Sequence, residues 1–193
     1  VNKWVMGGRI FNIWDAIDGK EVKISRLPAL GKIKRNDVLV FNFPHPNGWD
    51  KIEMHILKYY IKRCIGLPGD TLSIQQGIFK VNKINMPLGN IKSEEKIGQT
   101  IPEDFPKGVY HSYPFDPAFN WNIQNFGPLY IPKAGDRLPM NRRNYLLYHK
   151  LIAWEQKTKI EYKDSIVFLN GKQIEDYCFQ KNYYFMAGDK GMN

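Results

Sequence analysis

Lys62 stands where chemistry is most concentrated in this chain, inside the run Tyr60-Ile61-Lys62-Arg63-Cys64-Ile65-Gly66-Leu67-Pro68-Gly69-Asp70. An apolar strand pattern (Tyr60, Ile61, Ile65) leads there into a Gly-x-Pro-Gly-Asp turn. A lysine in such a strand is expected to be partly stripped of water. Desolvation penalises the ammonium form, so the pKa falls and a neutral amine becomes available as a base near neutral pH. Peptide hydrolysis by a hydroxyl nucleophile needs such a base, first to accept the hydroxyl proton and then to deliver it to the leaving amine. A single lysine on an edge strand is ordinarily just solvated. The whole run is a far more specific pattern.

The elements around it read as mainly strand. Residues Val1 to Ile10 predict the end of a strand followed by a glycine turn, and Asp37 to Phe41 predict a strand bounded by Arg35-Asn36 and Pro44. Pro44 to Gly48 is a turn, and the lysine strand runs from Ile56 to Ile65. Leu72 to Ile74 and Ile78 to Val81 predict a hairpin across Gln-Gln-Gly. Ile166 to Leu169 and Lys172 to Ile174 predict another across Asn170-Gly171, a pair suited to a type I′ turn. A last strand covers Tyr183 to Met186, just before Ala187-Gly188-Asp189. The stretch from about Pro87 to Asn141 carries Pro102, Pro106, Pro114, Pro117, Pro128 and Pro132, and reads as loop and short elements, an excursion from the main sheet. One helix is predicted over Tyr145 to Glu155, with Leu147, Leu151 and Trp154 at helical spacing and Asn141 or Asn144 as its cap.

Composition narrows the function classes. Hydrophobic residues at 43% and charged residues at 24% exclude a disordered chain. The net charge of +9 favours an anionic surface. The basic residues are scattered, with Lys32, Lys34 and Arg35 the densest cluster, and no basic helix or zinc-finger spacing accompanies them. Nucleic acid is therefore not expected as a partner, whereas a membrane lipid surface is. Aromatic residues at 14% fit sheet packing, or a surface at a lipid interface. Cys64 and Cys178 read as two buried thiols or one disulfide. His45, His55, His111 and His149 are dispersed, so neither a metal site nor a cofactor is expected. No run of 18 or more apolar residues is present, so the chain as given is expected to be soluble.

The lysine run closely resembles a box of bacterial type I signal peptidases, membrane-anchored endopeptidases that use a Ser–Lys dyad. Three further segments resemble that family in order and spacing. Arg35-Asn36-Asp37-Val38-Leu39-Val40-Phe41 with Pro44 is similar to its Arg-Gly-Asp-hydrophobic box, with Asn36 in the glycine position. Val1-Asn2-Lys3-Trp4 through Gly8 resembles the stretch just after the nucleophile box, and Phe185-Met186-Ala187-Gly188-Asp189 resembles the opening of the last box. Phe126 to Pro132 resembles members with a large insertion.

The resemblance implies a coiled β-sheet domain, of the kind shared with self-cleaving repressors, carrying an inserted proline-rich subdomain and one or two short helices. The core would comprise residues 1–86 and 157–193, and the insertion residues 87–156. Lys62 would be the general base. Tyr60, Ile61 and Val40 would line the pocket for small substrate residues, and Arg63, Gly188 and Asp189 would support the lysine. The implied substrates are signal peptides of preproteins, cleaved on the outer side of the bacterial cytoplasmic membrane.

Two departures carry expectations of their own. The family nucleophile lies in a Ser-x-x-Pro box that would precede Val1, so this fragment is expected to be inactive alone, and both ends read as cut edges of a longer chain. Ser25-Arg26-Leu27-Pro28 imitates that box but lies on the wrong side of Val1-Asn2-Lys3, so Ser25 reads as a loop serine. Lys190-Gly191 replaces the family's Asn-Arg. That change admits an alternative, a related domain without chemistry that holds partners at the membrane. A self-cleaving repressor would instead need an upstream DNA-binding domain, and the Arg-x-Ile-Gly-Leu-Pro-Gly-Asp wording argues against it.

Overall fold

Alternating apolar side chains and tight turns build five small antiparallel sheets among the described residues. They are seen in a computed structural model that describes residues 9–10, 25–26, 31–42, 44, 52, 59–82 and 84–189. The first four residues of the chain, most of the 44–48 turn, His45, His55, the start of the lysine strand before Tyr59, and Lys190-Gly191 lie outside these residues. Strand β1 (Arg9–Ile10) pairs with β2 (Ser25–Arg26), so Ser25 lies in a short strand opposite Ile10 rather than in a loop.

The central sheet has the order β13-β4-β3 and contains β3 (Val38–Asn42), β4 (Tyr59–Gly66) and β13 (Phe185–Ala187). Beside it, β5 (Thr71–Gln75) pairs with both β6 (Ile78–Val81) and β7 (Phe126–Tyr130). The turn between β4 and β5 is a type II turn. Pro68 precedes Gly69 at φ +90°, and the Asp70 amide donates to the Leu67 carbonyl at 3.0 Å. The Asp70 carboxylate in turn accepts the Leu67 amide at 2.7 Å, closing the loop from its side chain.

The second group of elements is β8 (Arg137–Pro139) with β12 (Asp176–Cys178), and the meander β9 (Ile160–Lys163), β10 (Ile166–Leu169), β11 (Lys172–Ile174). Asn170 and Gly171 both have positive φ, as the type I′ reading requires.

Helix α1 (Ile91–Gln99) falls in the stretch that reads as loop and short elements, where the sequence places no particular helix. Its sequence offers just two strongly apolar residues, Ile91 and Ile97, so periodicity does not reveal it. Its start is fixed by Asn90, whose side chain accepts the Ser93 amide at 3.3 Å. Helix α2 (Arg142–Gln156) is the predicted helix, and Asn141 rather than Asn144 caps it. It buries Leu147, Tyr148 and Ile152, while Trp154 is exposed with the Lys181 ammonium 5.5 Å from its ring centroid.

Two apolar clusters result among the described residues. Ile65, Leu72, Val81, Leu88 and Ile131 pack around β4 and β5. A larger one draws Phe119, Trp121, Leu147, Ile152, Val167 and Phe179 from both sides of residue 156. Phe126 and Tyr183 pack against both.

Candidate active site

Strand β4 positions the candidate base. Because side chains alternate along a strand, Tyr60, Lys62 and Cys64 share one face and Ile61, Arg63 and Ile65 the other. The register with β3 sets Leu39 opposite Lys62, Phe41 opposite Tyr60 and Val40 opposite Ile61. Lys62 and Tyr60 thus stand together, with the ammonium 5.9 Å from the Tyr60 ring centroid. Val40 and Ile61 are neighbours on the other face, where Ile61 is 67% exposed.

Lys62 is half-buried, and the backbone at Gly188 comes up against the end of its side chain. A Cβ at residue 188 would lie 2.9 Å from Lys62 Nζ. Gly188 does not have a left-handed backbone, so glycine is required here for space rather than for conformation.

The next residue ties this approach down. Asp189 receives Arg63 Nε at 2.8 Å and Arg63 Nη2 at 2.6 Å, a two-point pair across the end of the central sheet. The hydrogen bond from Arg63 holds the Asp189 carboxyl below its usual range, and the same bond raises Arg63. Arg63 Nη1 also donates to the Asn36 carbonyl at 2.9 Å. Gly188 and Asp189, distant in the sequence, are therefore brought to Lys62 and Arg63 respectively by the pairing of β13 with β4.

Asn36 explains the departure from the family's glycine. Its φ is +65°, a left-handed conformation that asparagine adopts more readily than most residues. Its amide donates to the Cys64 carbonyl at 2.7 Å. Its side chain then does what glycine cannot, donating to the Pro87 carbonyl at 3.0 Å and accepting the Gly89 amide at 2.9 Å. Arg35 reaches Asp70 with Nη2 at 2.6 and 2.7 Å from the two carboxylate oxygens, joining the β3 and β4 turns.

Three contacts around the lysine segment were not read from sequence: those of Asn36 as a clasp, of Ser93 and of Glu94. Ser93 Oγ donates to the Asp189 carbonyl at 2.5 Å. Glu94 is buried beside the same segment, and burial pushes its carboxyl up. The Asn90-x-x-Ser93 cap was the available signal for Ser93; a buried glutamate leaves no mark in a sequence.

Cys64 and Cys178 are free thiols. Burial, followed by the nearby Asp37 charge, pushes the Cys64 thiol up to about 11. Among the described residues no cluster of histidine, cysteine, aspartate or glutamate could hold a metal ion, and no helix is long and apolar enough to cross a membrane.

The family described as Signal peptidase, peptidase S26, matches this chain over residues 11–191. Signal peptidase I of Bacillus amyloliquefaciens is 30% identical over 103 residues, covering 48% of each chain. Signal peptidase I T of Bacillus subtilis (strain 168) is 29% identical over 103 residues, again 48% of each. Signal peptidase I of Bacillus licheniformis is 30% identical over 90 residues, 42% of this chain and 43% of its own length. The chain spans about half the length of the curated relatives it matches. No solved structure matches.

Proposed function

This chain belongs to the signal peptidase family, and from that premise we propose that it is the base-bearing part of a membrane-associated serine endopeptidase that removes signal peptides from exported proteins. The observation that carries the reading is the seat of Lys62. Lys62 is half-buried, with its amine beside the Tyr60 ring and against Gly188, whose neighbour Asp189 is tied down by Arg63. Such a seat holds an amine in one place, as a general base requires.

In this reading the nucleophile is the serine of a Ser-x-x-Pro box N-terminal to Val1. Lys62 in its neutral form accepts the serine proton as the hydroxyl oxygen bonds to the scissile carbonyl carbon. It returns that proton to the amide nitrogen as the C–N bond breaks, and then activates the water that hydrolyses the resulting ester. Val38, Tyr59 and Ile61 are exposed on one face of the paired strands β3 and β4, an apolar surface fit for an extended peptide or a lipid interface. The net charge of +9 supports attraction to anionic headgroups. The intact Arg63–Asp189 pair favours an enzyme over a scaffold that has lost its chemistry.

The test is Lys62→Met in the protein carrying the nucleophile box, assayed for preprotein processing. Cleavage is expected to disappear while the fold persists. Undiminished cleavage would refute the assignment of the base.

A further inference from the structure

Glu94 is only 2% exposed, and its carboxylate is half satisfied. Oε2 accepts the Phe79 amide at 3.1 Å, whereas Oε1 is buried with no hydrogen-bond partner. The residue lines a cavity of about 170 Å³ whose walls include Ile65, Ile97, Phe185, Gly188 and Asp189. Gly89, at φ +76°, closes over it so tightly that a Cβ there would lie 2.4 Å from Oε1. The charged groups around it are Lys80 on β6, Glu95 on its own helix, and the Arg63–Asp189 pair at the cavity's edge. Among the described residues none of the cations forms an ion pair with it.

The neighbouring Ser93 donates to the Asp189 carbonyl at 2.5 Å, and Gly188 abuts Lys62 Nζ. Helix α1 is thereby connected to the candidate base through two adjacent residues.

We propose that Glu94 is a positioning residue for Lys62, seating α1 against the 187–189 segment as an uncharged acid and releasing that segment when it ionises. A charge buried at such a site, without an ion-pair partner, is strongly penalised. Ionisation must therefore be met by water entry or by movement of α1, and movement of α1 pulls Ser93 away from Asp189. The upward push that burial gives the Glu94 carboxyl acts in the same sense. The seat is firm at low pH and loosens as pH rises from the ordinary glutamate range to the raised pKa. The link to catalysis rests on the function proposed above; the link to Asp189 does not.

The test compares wild type with Glu94→Gln, which keeps the shape without the proton, in the protein carrying the nucleophile box. Two measurements are made across pH: hydrogen exchange of the 187–189 amides, corrected for intrinsic base catalysis, and kcat/KM for a preprotein. In wild type the corrected exchange is expected to rise by about tenfold per pH unit between the ordinary glutamate pKa, which Glu94 regains in the open state, and its raised pKa in the closed state, with an alkaline fall in kcat/KM once the open state is populated. In Glu94→Gln the corrected exchange is expected to be flat over that range and the alkaline fall in kcat/KM to be absent. Parallel exchange profiles in the two proteins would overturn the proposal. If neither protein cleaves at any pH, the peptidase reading fails, and the exchange data alone still decide the role of Glu94.

Discussion

Replacing Gly188 with alanine separates the lysine site from the stability of the fold. The added methyl would sit 2.9 Å from Lys62 Nζ, 3.7 Å from Cδ and 3.9 Å from Cε. Only the amine is too close, so it must retreat by about 0.5–1 Å to reach an ordinary contact. The backbone at 188 accepts an L side chain, and the atom in the way is the far end of a flexible chain. An off-rotamer lysine costs about 0.5–1.5 kcal/mol. Against this, alanine restricts the unfolded chain and returns about 0.4–1 kcal/mol. Net stability should change by less than about 1 kcal/mol.

Catalysis is far less forgiving, because a shift of about 1 Å in a reacting group costs on the order of 10²-fold. Gly188→Ala should therefore lower kcat/KM for preprotein cleavage by about 10- to 100-fold, with a melting temperature within a few degrees of wild type. Both are measured on the protein carrying the nucleophile box. Full activity in the folded variant would refute the idea that Gly188 sets the place of the amine. Loss of activity with loss of folding would refute the claim that the effect is local.

Gly66→Ala should behave oppositely. Its Cβ would lie 2.2 Å from Ile131 Cδ1 in the buried core, so denaturant titration should show a loss of about 1–3 kcal/mol. Cys178 is exposed and should be alkylated readily near neutral pH. Cys64, buried and pushed up to about 11, should react only once the protein unfolds, as mass spectrometry with and without denaturant will show. Asp189 is held below its ordinary range by Arg63, so its contribution is present above the unfolded pKa and lost as pH falls through the folded one. Asp189→Asn should accordingly lessen the acid-side decline of the melting temperature; since the side chain is 41% exposed, the difference will be modest. An identical acid profile in the variant would exclude this pair as a source of the decline.

Local pattern determined much of this molecule. Alternation of side chains marked the strands around Val38 and Lys62, and Asn170-Gly171 specified its own turn, because both signals are held within a few residues. Pro68-Gly69 likewise encodes a type II turn wherever it sits in a chain. The lysine box pointed to a base by its wording alone. Tertiary structure decided the rest. Arg63 meets Asp189 across 126 positions, and no local signal specifies that pair. Face is equally non-local in its consequences: Val40 and Ile61 lie together away from Lys62 because the β3–β4 register, not proximity in sequence, assigns neighbours. Helix α1 has too few apolar residues to announce itself and is held by contacts from Gly77, Phe79, Gln124 and Asp189. That a glutamate there faces a cavity is a property of the packed elements, since burial arises only when separate segments close over one another.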